Sequence, residues 1–210
     1  MKRPTTWLWL PALGFILFFF ANATIISAAT ATDEMKSTIN GVLHIITDTE
    51  HKEDQKTRRK LIRDLISQRF SYEEMGMRSL GANWKTISAN EQREFVDLFS
   101  KLLENSYATK IEEAKEEHVN YKDEKVKGKY AMVKTEIVRN SGKMPVDYKL
   151  IRLDAKWKVY DVVIEGVSLI KNYRSQFNRI IHLESYDALK KKIQLRIREI
   201  EENKKISGEL

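Results

Sequence analysis

The 210-residue chain contains no cysteine, only three prolines and only eight glycines. Without a thiol it can form no disulfide, no thiolate metal site and no cysteine nucleophile, and it cannot be a bacterial lipoprotein. An exported protein built this way fits a bacterial periplasm better than a eukaryotic extracellular space. The scarce glycines form no phosphate-cradling loop, no G-x-S-x-G elbow and no Walker-type lysine motif, so the sequence carries none of the familiar hydrolase or nucleotide signatures. Histidine is also sparse. His44, His51, His118 and His182 never stand four residues apart on one helix face, which leaves no helical metal pair, and His44 and His182 read as core or boundary residues.

What is present is a hydrophobic fraction of 42% beside a charged fraction of 32%, a balance that folds into one globular unit rather than staying disordered. The first thirty or so residues read as an export signal: Lys2 and Arg3, then a strongly apolar run from Leu8 to Ile26, then the small residues Ser27, Ala28, Ala29 and Ala31. Ser27-x-Ala29 and Ala29-x-Ala31 both suit a signal peptidase and put the mature start at Thr30 or Thr32. The apolar run also has the length of an uncleaved anchor. The segment carries two cations and no acid, so its removal lowers the formal charge of +7 by two. The expected organisation is a signal over 1–31, a domain over 32–203 and a polar tail over 204–210.

Helical spacing comes first. Met35, Ile39, Val42, Leu43 and Ile46 predict one amphipathic helix, and Leu61, Ile62, Leu65, Ile66 and Phe70 a second. The charged break between them, His51 to Lys60, reads as a solvated turn leading into a helix. Ser71 with Glu74, and Ser88 with Glu91, have capping-box spacing. A short helix is predicted from Tyr72 to Gly81, and a longer one, with a stripe of Phe95, Phe99, Leu102 and Leu103, to about Tyr107.

From His118 the period drops to two. Ala131, Val133, Thr135 and Ile137 alternate with polar residues, turn signals occur at Asn140-Ser-Gly142 and Asp154-Ala-Lys156, and Val146 to Leu150 and Trp157 to Ile164 complete a three-stranded meander. Val119 to Tyr121 adds a short fourth strand. After Gly166, which allows a sharp turn, Ser168 caps a helix carrying Ile170, Tyr173, Phe177, Ile180 and Ile181, and a last helix spans Tyr186 to Glu201. Helices before and after an antiparallel sheet predict an α+β fold, with helices around a curved sheet of about four strands.

Asp161 and Glu165 are the paired carboxylates of an acid–base reading, and equally edge or rim groups. The basic runs Lys56 to Arg63 and Lys190 to Lys192 lie in regions that acidic residues interrupt and read as solvated faces, not nucleic-acid contacts. The aromatic excess on the sheet and flanking helices is either a filled core or the lining of an apolar cavity.

Trp157 to Phe177 (WKVYDVVIEGVSLIKNYRSQF), together with Met75 to Trp84 (MGMRSLGANW), Glu91 to Phe95 and Leu102 to Tyr107, resembles the MlaC family of periplasmic phospholipid-binding proteins, also described as toluene-tolerance or ABC transporter auxiliary components. The resemblance covers about residues 60 to 200. It implies an α+β body enclosing an apolar pocket for acyl tails, with bound phospholipid as cargo, no cofactor and no bond made or broken. The implied partners are an outer-membrane lipoprotein complex and an inner-membrane ABC transporter, served by a monomeric shuttle that maintains outer-membrane lipid asymmetry.

The lining expected on this basis comprises Val133, Thr135, Ile137, Val146, Tyr148, Leu150, Val162 and Ile164 on the strands. Met75, Tyr107, Val167, Ile170, Tyr173 and Phe177 add the helical walls. Burial of acyl methylenes at about 0.8 kcal/mol each drives binding without polar contacts, so headgroup selectivity is expected to be slight. The chain departs from the family pattern in a shorter hairpin at Asp154 to Trp157 and a more charged early helical pair, which bears on partner contacts. A hopanoid or other apolar ligand, or a ligand-free interaction module, are the alternatives.

Overall fold

The computed structural model describes residues 29–48, 54–114, 118–140 and 142–206. The signal up to Ala28, His51 to Glu53 of the charged break, and 207–210 of the tail lie outside them. The described elements are α1 (Ala31–Thr47), α2 (Gln55–Arg69), α3 (Tyr72–Leu80), a 3-10 turn (Gly81–Lys85), α4 (Ala89–Glu112), β1 (His118–Lys127), β2 (Tyr130–Arg139), β3 (Gly142–Leu153), β4 (Lys156–Ile164), β5 (Val167–Ser168), α5 (Leu169–Leu183) and α6 (Tyr186–Ile206). None of these helices is long and apolar enough to cross a membrane.

Local chemistry sets the helix starts. Thr30 and Asp33 form a full capping box on α1, the Thr30 hydroxyl accepting from the Asp33 amide at 3.0 Å and the Asp33 carboxylate from the Thr30 amide at 3.2 Å. Ser88 and Glu91 do the same for α4. Ser71 supplies only half a box to α3: its hydroxyl accepts from the Glu74 amide, while the Glu74 carboxylate turns to Arg78 at 2.7 Å.

The body extends past the expected boundaries at both ends. Ala31, placed with the signal, opens α1 and is 0% exposed, and α6 continues to Ile206 instead of fraying after Glu201. Lys204 explains the latter, because its stem is buried and its ammonium donates to the Asn105 carbonyl oxygen of α4 at 3.0 Å.

The five strands pair antiparallel in chain order, one more than expected. β1 spans ten residues, of which seven are exposed and none is fully buried. Its HVNYKDEKVK sequence lacks the alternation by which a half-buried strand is read, so only its start was legible. The β3–β4 turn is a two-residue type with Asp154 at φ 46° and Ala155 at φ 63°, a conformation whose twist matches the strands. Gly166, at φ 81°, completes the same kind of turn before β5.

Two clusters hold the chain. Met75, Leu80, Phe95, Phe99, Leu103, Phe177 and Leu189 belong to a helical core shared by α3, α4, α5 and α6, with the Phe99 and Tyr173 rings edge to face at 5.1 Å. Ala31 and Met35 of α1 pack against Ala131, Val133, Leu150, Trp157 and Val159 in a second core on the sheet. Each fully buried side chain contributes roughly 1.5–3 kcal/mol. Phe70 packs against both clusters, and between them the chain leaves a gap.

Candidate functional site

That gap is a cavity of about 300 Å³. Its sheet wall is Ile137 of β2, Met144, Val146 and Tyr148 of β3, and Val162 and Ile164 of β4. The register explains the grouping: Ile137 faces Met144, Tyr148 faces Val162, and Val146 faces Ile164. Directly opposed residues share a face, so the wall is continuous and apolar. Ile62 and Ile66 of α2, Phe70, Met75 of α3, Leu103, Tyr107, Ala108 and Ile111 of α4, and Leu169 of α5 complete the apolar lining.

One edge is polar. The Arg59 guanidinium grips Glu112 through both carboxylate oxygens, at 2.8 and 3.0 Å, in a pair only about a tenth exposed. Arg63 pairs with Glu104 at 3.0 Å. Burial pushes the Glu104 carboxyl up against the opposing pull of Arg63 and of the Tyr72 hydroxyl. The same burial, with Glu104 beside it, drives the Tyr72 hydroxyl far above its ordinary value. Lys204 joins this edge from α6.

Of the residues expected to line a pocket, Met75, Tyr107, Ile137, Val146, Tyr148, Val162 and Ile164 do so. Val133 and Leu150, both 0% exposed, lie in the closed core under α1, and Ile170 is in the helical core. Thr135 is buried, donating to the Val146 carbonyl oxygen at 2.6 Å. Val167 is 63% exposed and faces solvent. Tyr173 and Phe177 border a separate cavity of about 340 Å³ between α4, α5 and α6, which meets the first only at Tyr107 and Leu169.

Strand parity sorts the faces correctly but not which length of a face α1 covers. Parity also contained Met144, two residues before Val146. Ala108 and Ile111 were missed because α4 runs to Glu112, past the expected end.

Asp161 has a structural role. Its carboxylate accepts from Ser168 Oγ at 2.7 Å, the Ile170 amide at 3.1 Å and Lys149 Nζ at 3.1 Å, anchoring the N-terminus of α5 to β4. Glu165 sits exposed in the turn after β4. The two carboxylates are thus not assembled into one site. Among the described residues no group of three or more His, Cys, Asp or Glu could hold a metal ion.

The family model described as "MlaC protein" matches residues 36–194. The chain belongs to the MlaC family. A curated MlaC relative, the intermembrane phospholipid transport system binding protein of Haemophilus influenzae, is 24% identical over 200 residues, covering 89% of this chain and 91% of its own. A solved phospholipid-binding protein from Ralstonia solanacearum, in complex with a phospholipid, superposes with a TM-score of 0.75 at 22% identity. It covers 82% of this chain and 99% of its own. The α+β arrangement described above is therefore the MlaC fold.

Proposed function

We propose that this MlaC-family protein binds a phospholipid with its acyl tails in the cavity between the two cores and carries it between membranes without catalysing a reaction. The observation that carries this reading is the cavity: a continuous apolar wall built by three strands and four helices, with charge confined to one edge. Burying each methylene there is worth about 0.8 kcal/mol, so tails supply the affinity and the charged edge suits a headgroup. The functions named for the Haemophilus and Ralstonia proteins point the same way.

On this reading the protein is a monomeric periplasmic shuttle with no cofactor. Its partners are an outer-membrane lipoprotein complex and an inner-membrane ABC transporter, and its work maintains outer-membrane lipid asymmetry. Export follows from the N-terminal signal, and cleavage between Ala29 and Thr30 is favoured because it leaves the Thr30 cap and the buried Ala31 in the product.

Solvent extraction of purified protein, followed by mass spectrometry, is expected to recover phospholipid; protein that is reproducibly lipid-free overturns the proposal. Ile164→Trp, which puts bulk into the cavity wall, should lower recovered lipid several-fold with the circular dichroism of the fold kept. Val133→Trp has no space to fill and should instead destabilise the protein by about 3 kcal/mol.

A further inference from the structure

The two ends of α2 are held in different ways. Its last turn is rooted in the sheet core. The Arg69 guanidinium donates to Glu34 and Thr38 of α1 and to the Trp157 carbonyl oxygen. Phe70 bridges to Val159 of β4, and the Ser71 amide donates to the Val159 carbonyl oxygen at 2.9 Å. α1 is rooted beside it through Ala31 and Met35. The two helices lie antiparallel and interlock, since Leu65 fills the notch left by Gly41, where a Cβ would stand 2.7 Å from Leu65 Cδ2. They form one hairpin with a fixed end.

The other end is joined to the far wall of the cavity through charge. Arg59 chelates Glu112 and Arg63 pairs with Glu104, both across from α2 to α4. Among the described residues α2 and α4 do not pack backbone to backbone as α1 and α2 do. Their apolar faces, Ile62 and Ile66 on one side and Leu103 and Ile111 on the other, line the cavity.

The size of the cavity requires a wall to move. Pockets for drug-sized ligands span about 300–1,000 Å³, and a phospholipid with two long tails is larger than such a ligand, yet this cavity measures about 300 Å³. α3 to α6 share one continuous core and the strands are hydrogen-bonded in sequence, which leaves the α1–α2 hairpin as the wall fixed at one end. Its ion pairs suit a contact that opens, because hydration of the separated charges offsets most of the attraction lost.

We infer that the α1–α2 hairpin is a lid over the tail cavity, rooted at Arg69 and latched to α4 by Arg59–Glu112 and Arg63–Glu104, and that opening the latch admits and releases lipid. The inference rests on the carrier reading and names the part that moves in it.

The test is the rate of lipid transfer. Protein loaded with a fluorescently labelled phosphatidylglycerol is mixed with acceptor vesicles of dioleoyl phosphatidylcholine, and amide hydrogen exchange is followed in parallel. Replacing Arg59 and Glu112 together by alanine removes one half of the latch without leaving a lone buried charge, and should speed transfer about tenfold. Arg63→Gln, at a half-exposed position, should speed it several-fold. In both variants the lipid held at loading is expected to stay the same, while α2 amides exchange faster and α4 amides keep their protection. Lys60→Gln, which breaks the exposed Lys60–Asp64 pair within α2, should leave the rate unchanged. If it speeds transfer as much as the latch variants, general loosening of α2 explains the effect and the lid is overturned. An architectural role for the ion pairs would lower stability and lipid content together with no change in rate per loaded molecule, and that result also overturns the lid. Unmodified protein that takes up no labelled phospholipid overturns the carrier reading itself.

Discussion

Replacing Asp161 by alanine removes the acceptor shared by Ser168 Oγ, the Ile170 amide and Lys149 Nζ, and leaves those donors in a buried site. The expected cost is about 3 kcal/mol by urea denaturation, with bound lipid per folded molecule kept, because Asp161 does not line the cavity. At Ala155 the sign reverses. A non-glycine residue at φ 63° is strained by roughly 1–2 kcal/mol, and glycine relieves this at some expense in unfolded-chain entropy. Ala155→Gly should therefore raise stability by about 0.5 kcal/mol in the same assay. Such residue-level features were only partly legible. The Asp154–Lys156 turn could be read from composition, but the bonds that fix Asp161 join positions seven and nine apart across a strand-to-helix corner, which no period of the sequence displays.

Elements were read more fully than their roles. The apolar spacing of Ile62 and Ile66 predicts an amphipathic α2, yet nothing in that spacing says whether the apolar face meets packed atoms or empty space. That depends on α1 having already covered the neighbouring length of sheet. α1 itself depends on its first residues. A chain beginning at Thr32 lacks the Thr30 cap and the buried Ala31, and should unfold about 1–2 kcal/mol more easily than one beginning at Thr30, as compared by urea midpoints. The start of α4 gives a pH-dependent version of the same effect. The Ser88 hydroxyl and amide hold the Glu91 carboxyl below its ordinary value, so this interaction stabilises the protein above that value and is lost as pH falls through it to the lower folded one. The stability gap between wild type and Ser88→Ala is expected to narrow as pH drops below about 4. A gap that stays constant from neutral pH down to about 3 would show that the hydroxyl acts without the carboxylate.

For the molecule as a whole, the cavity exists because two hydrophobic cores are laid down by different parts of the chain and meet imperfectly. The helical core involves α3 to α6, while the sheet core needs only α1 and the strands. The α+β class was legible from the order of periodicities, helical then two-residue then helical. The cavity was not, because it arises from the misfit of two surfaces and no single segment encodes a misfit.

The strand order carries a consequence of another kind. Each strand of the sheet pairs with the one just before it in the chain, across turns as short as two residues. The sheet can therefore zip up from local encounters, without the long loop closures that slow many β proteins. With no disulfide to form, assembly requires no oxidant. Joining α3 and α4 to α5 and α6 across the whole sheet sequence is the longest loop the fold has to close, and that closure falls on the helical core.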